Sequence, residues 1–114
     1  MALLGKILGA NVQVFAKSLA EDLSKRYPPS LDQSAEKKIS PTRLTKVLED
    51  TFNKAVAFKT ENKLGAFGKA KLGNSFRWEL KDLGYTDEFI EIATEGMVVY
   101  LTRKAPPAAA PDQK

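Results

Sequence analysis

Apolar residues recur at helical spacing along most of the chain. Leu4, Ile7, Leu8, Val14, Phe15, Leu19 and Leu23 form a stripe through the first segment, with Lys6, Lys17, Glu21, Asp22 and Lys25 mostly opposite. This periodicity predicts a long amphipathic helix over Leu3–Arg26. Tyr27-Pro28-Pro29 ends it, because proline donates no backbone hydrogen bond and disfavours a helical residue before it. Residues 30–39 are polar and read as a connector with at most one short turn. Ser40-Pro41 then marks a sharp helix start, with serine as the cap and proline in the first turn. Leu44, Val47, Leu48, Thr51, Phe52, Ala55, Val56 and Phe58 supply the stripe of a second helix running to about Asn62.

The pattern then weakens. Lys63 to Asn74 holds Gly65, Gly68 and Gly73, and reads as a loop or a weak helix. A third helix is expected over Ser75–Leu83, with Phe76, Leu80 and Leu83 on one side, although Phe76, Trp78 and Leu80 also alternate as a strand would. Gly84 is a left-handed stop, and Thr86 caps a fourth helix over Asp87–Glu95 whose first turn is acidic. Gly96 is read as its end. Met97 to Thr102, β-branched and aromatic, reads as a strand that requires a pairing partner. The Ala/Pro-rich residues 104–114 have little to bury and are expected to be disordered. The expected fold is mostly α with a minor β component. It is a four-helix domain over residues 1–103, with one C-terminal strand and a disordered tail.

Composition supports a self-sufficient core. Of 114 residues, 43% are hydrophobic and 28% charged, which is ordinary for a globular domain. The absence of cysteine and histidine removes disulfides, thiolate sites, and the commonest general base and metal ligand. No stretch approaches the roughly 20 apolar residues of a membrane span, and no cleavable leader is apparent. The chain therefore reads as cytoplasmic, starting at or near Met1.

Charge is unevenly placed. Lys63, Lys69, Lys71, Arg77 and Lys81 face only Glu79 within residues 63–81, whereas Asp82, Asp87, Glu88, Glu91 and Glu95 meet no cation within 82–96. Lysines beside glycines, with Phe67, Phe76 and Trp78 interleaved, suit phosphate contact and base stacking. The bland alternative puts Phe76 and one other ring in the core. Asp87, Glu91 and Glu95 at i, i+4, i+8 form a ridge that suits a solvated face or a basic protein surface. No Asp-rich loop suggests calcium, and no metal or cofactor is expected.

Motifs for chemistry are sparse. Gly68-Lys69 is followed by Ala70, so no Walker-type phosphate loop is present. Leu64 to Lys69 resembles the glycine loop of KH domains over six residues, but Phe67 lies inside it and no strand leads the first helix. A helix-turn-helix over Phe76–Glu95 would present an acidic recognition helix to DNA. No nucleophile elbow or zinc signature occurs. The expectation is a non-catalytic interaction module that binds a protein or self-associates. Asp87, Glu91, Glu95, Val98 and Tyr100 are its contact residues. The alternative is nucleic-acid binding through Lys63, Lys69, Lys71, Arg77 and Lys81.

Overall fold

The computed structural model describes the backbone of residues 2–34 and 39–103, and the side chains of residues 11–34 and 39–103. The expected roles of Lys6 and of Leu4, Ile7 and Leu8 in the first stripe, and of the tail, lie outside the described side chains. The elements are α1 (Ala2–Arg26), α2 (Pro29–Gln33), α3 (Pro41–Asn62), α4 (Ala66–Leu83) and α5 (Asp87–Thr102). Each of the four long helices packs on two others: α1 on α3 and α4, and α5 on α3 and α4. Their buried residues join in one cluster, with Leu19 and Leu23, Val47, Leu72, Phe76 and Leu80, and Met97 and Leu101 all below 3% exposed.

The ends of α3 form as its sequence dictates. The Ser40 hydroxyl accepts from the Arg43 amide at 3.2 Å, and Pro41 opens the helix. The helix closes at Lys63, which takes the left-handed conformation (φ 52°) and donates its amide to Lys59 and Thr60. Asp50 on α3 accepts from Arg26 of α1 at 2.8 Å and lies 3.3 Å from Lys46. These cations, Arg26 foremost, hold its carboxyl below the usual range.

Two expectations are corrected. The glycine-bearing segment, open to loop or weak helix from its sequence, is helical from Ala66 onward, so α4 begins nine residues before the expected Ser75. Helix propensity there is overridden by packing: Leu72 is fully buried, and a Cβ on buried Gly73 would come within 3.2 Å of Val98 on α5. The expected strand over 97–102 is instead the second half of α5. Phe89, Ile90, Ala93, Thr94, Met97 and Leu101 are buried at three- and four-residue intervals, which is one continuous helical stripe across Gly96. No strand occurs among the described residues. Gly96 does not stop the helix. It lets the Phe52 ring of α3 lie where a side chain would be, since a Cβ there would sit 2.6 Å from the ring. The last turn of α5 is tied back to α3 by Lys59, whose Nζ donates to the Leu101 carbonyl at 3.1 Å.

The polar connector contains α2, which latches the α4–α5 turn. Gly84 adopts φ 102°, the left-handed stop expected of it. Thr86 caps α5 by accepting from the Phe89 amide. Asp32 accepts from the Thr86 amide at 2.7 Å and from the Tyr27 hydroxyl at 3.1 Å. The Tyr85 hydroxyl donates to the Tyr27 carbonyl, and Gln33 donates to the Gly84 carbonyl. Tyr27, Tyr85 and Phe89 form a ring cluster with centroids 4.8–6.1 Å apart.

This latch has a signature at alkaline pH. Burial, then the hydrogen bond and charge of Asp32, push the Tyr27 phenol from its ordinary value of about 10 up to about 12. Burial and the Asp32 charge also raise Tyr85. The folded chain holds these protons more tightly than the unfolded chain. Stability is therefore unaffected below about pH 10 and falls as pH rises through about 12. Absorbance titration should show two phenols ionising late, with the melting temperature falling over that window. Ionisation of every tyrosine near pH 10 with an unchanged melting temperature contradicts the latch.

Candidate functional site

At about 100° per residue, α4 turns Leu72, Phe76 and Leu80 inward and leaves Phe67, Lys71, Asn74, Trp78 and Lys81 along its outer side. Phe67 is 85% exposed and Trp78 55%. Phe76 alone of the three rings is core, so the alternative in which one further ring is buried does not hold. On α5 the same arithmetic leaves Glu88, Ile92, Glu95, Val99 and Thr102 outward, with Ile92 54% and Val99 53% exposed. Both ridges follow the spacing i, i+4, i+7, i+11, i+14. They face the same way, opposite the core that α1 and α3 complete.

The seam between the ridges has two hollows. One, of about 350 Å³, is lined by Arg77, Trp78, Lys81, Asp87, Ile90 and Glu91. The other, of about 200 Å³, is lined by Ala66, Lys69, Ala70, Val98, Leu101 and Thr102. Arg77 donates to Glu91 across the seam at 3.2 Å. Both partners are well exposed, so this pair contributes at most about 1 kcal/mol. Its effect is to join the basic segment to the acidic one, rather than leave each as a separate face.

The expected site residues are thus only partly gathered. Lys69, Arg77 and Lys81 line the seam with Asp87, Glu91 and Val98. Glu95 is exposed on the outer ridge of α5. Lys63 sits at the turn between α3 and α4. Lys71 is on the outer ridge of α4 beside Trp78, about 200° around the helix from Lys69. Tyr100 turns away toward α3, where its ring lies 5.0 Å from Phe52 and under the Arg103 guanidinium at 4.1 Å. The basic five therefore form no single phosphate-binding track. Ile92, Val99, Glu88 and Asn74 were missed by sequence reading. Their shared spacing on two helices was the available signal, hidden while residues 97–102 read as a strand.

Among the described residues, no group of acidic side chains is arranged to hold a metal ion, and no helix is long and apolar enough to cross a membrane. The exposed rings are also separable from the fold. Phe76→Ala should cost about 3–5 kcal/mol in urea unfolding. Trp78→Ala, two residues away, should change the stability of dilute protein by no more than about 0.5 kcal/mol. A comparable loss at both positions would make Trp78 a core residue. Comparison with protein-family models, with curated proteins and with solved structures finds no match to this chain.

Proposed function

We propose that the chain is a non-catalytic interaction module, and that its outer α4–α5 face docks against another protein surface by helix packing. The observation that carries this reading is the exposure of Phe67, Trp78, Ile92 and Val99 on one two-helix face. Large apolar side chains grouped this way, among charged neighbours, are characteristic of association surfaces. The seam between the ridges is shaped to guide a partner's side chains, as in helix-on-groove recognition. Catalysis has less support, because the larger hollow is lined by charges of both signs and Glu91 is already engaged by Arg77.

Nucleic-acid binding is the competing reading. It draws on Phe67, Lys71, Trp78 and Lys81 sharing a ridge. Electrostatics disfavours it. The acidic ridge of Glu88 and Glu95 stands about 8–10 Å away, the ordinary spacing of packed helices. That is close to the Debye length of about 8 Å at physiological ionic strength. A phosphate chain on α4 would therefore feel those carboxylates.

A photo-activatable side chain placed at Trp78, at Ile92 and, as a control, at exposed Ser18 of α1 tests the reading in cells expressing the chain. Polypeptide adducts are expected at 78 and 92 and not at 18, and Val99→Asp should remove them. Equal yields at all three positions overturn the proposal. So does binding of short DNA or RNA with a steep salt slope by the purified chain.

A further inference from the structure

We infer that the occupant of the α4–α5 face is a second copy of this chain, docked face to face about a two-fold axis that runs parallel to the two helices. This rests on the reading of that face as a protein-docking surface and adds the identity of the partner.

The argument begins with charge. The α4 ridge carries Phe67, Lys71, Asn74, Trp78 and Lys81, which is aromatic and basic. The α5 ridge carries Glu88, Ile92, Glu95, Val99 and Thr102, which is aliphatic and acidic. Each ridge is complementary to the other, so one face holds both halves of its own partner. Self-complementarity of this kind is what an isologous interface requires.

Axial register within the antiparallel pair then fixes what would meet. Arg77 is level with Glu91, and Gly73 with Val98. Counting from these, Phe67 is level with Thr102, Lys71 with Val99, Asn74 with Glu95, Trp78 with Ile92, and Lys81 with Glu88. A two-fold rotation about an axis parallel to the helices exchanges the ridges without sliding them. It lays α4 of one copy over α5 of the other at these same levels. Trp78 then covers Ile92 of the second copy, Lys81 meets Glu88, and Lys71 comes within one turn of Glu95. Every such contact occurs twice. An axis perpendicular to the helices, within the same plane, would set α4 on α4 and α5 on α5. It would bring Glu95 against Glu95 and leave the lysines without acids, so charge selects the first arrangement.

Size sets the expected strength. Sixteen residues of helix are about 24 Å long, and two packed helices are about 20 Å wide. The face therefore spans roughly 500 Å² in plan. This is toward the small end for a specific dimer, so association should depend on concentration and weaken with salt.

Sedimentation of the full chain at rising concentration, in low and moderate salt, tests this directly. A monomer–dimer equilibrium weakened by salt is expected. Lys81→Glu alone should weaken dimerisation about tenfold, since it places two acid–acid pairs in each dimer. Glu88→Lys alone should do the same. The double variant should regain wild-type association, because both pairs are reversed together. Both substitutions are on exposed side chains, and circular dichroism confirms that each of the three variants remains helical before it is compared. A chain that stays monomeric throughout overturns the dimer, as does a double variant no better than either single one. If the chain is monomeric yet the side chain at position 78 still captures a different polypeptide, the dimer is wrong and the docking face stands. If position 78 captures nothing, both fall.

Discussion

The close approach of Phe52 to Gly96 is the constraint on which the outer face depends. Glycine in a helix interior costs about 1 kcal/mol relative to alanine. Here the missing side chain makes room for a buried aromatic ring from α3. That contact keeps α5 helical past the point where its local sequence favours extension. Met97 and Leu101 then continue the core stripe, and Val98 and Val99 reach the seam and the outer ridge. Were the helix to end at Gly96, half of the apolar surface on α5 would be placed elsewhere, and the two ridges would no longer match in length.

The α2 latch sets the other end of the same face. Asp32 holds the cap residue of α5, and Tyr27 stacks with Tyr85 and Phe89 around the turn. The α4–α5 hairpin is therefore fixed at the turn by hydrogen bonds and rings, and near the C-terminal end of α5 by Phe52 and Lys59. Between these anchors, Arg77 and Glu91 bring the basic and acidic segments together. The net charge of +4 conceals this arrangement. Opposite charges run side by side along two ridges, which favours a partner with the reversed pattern over a uniformly anionic one.

How far the sequence was legible depends on whether a signal was local. Ser40-Pro41 is a strong start, and α3 spans the expected Pro41–Asn62. Gly84 and Thr86 likewise act through their own backbone and side chain, as expected. The failures are nonlocal. Gly96 resembles a stop until Phe52 is known to lie beneath it. Met97 to Tyr100 favours a strand until Ile90, Ala93, Met97 and Leu101 are counted as one stripe. The glycines of α4 leave loop and weak helix both open until Val98 is seen against Gly73. Val14 breaks the expected stripe of α1, being 69% exposed while Val12 and Ala16 are buried. For the site, Lys69, Arg77, Lys81, Asp87, Glu91 and Val98 were legible and converge on the seam. Lys71 lies on the outer ridge rather than in the seam, and Tyr100 points toward α3, because linear clustering does not fix a helical face.

The most direct measurement is the backbone chemical shift of residues 94–102 in the intact chain. Helical Cα shifts running unbroken through Gly96 to Thr102, with sequential amide contacts throughout, are the result expected if α5 is one helix seated on Phe52. Extended-type shifts beginning at Met97 would contradict that account, and with it the paired ridges on which the docking face is built.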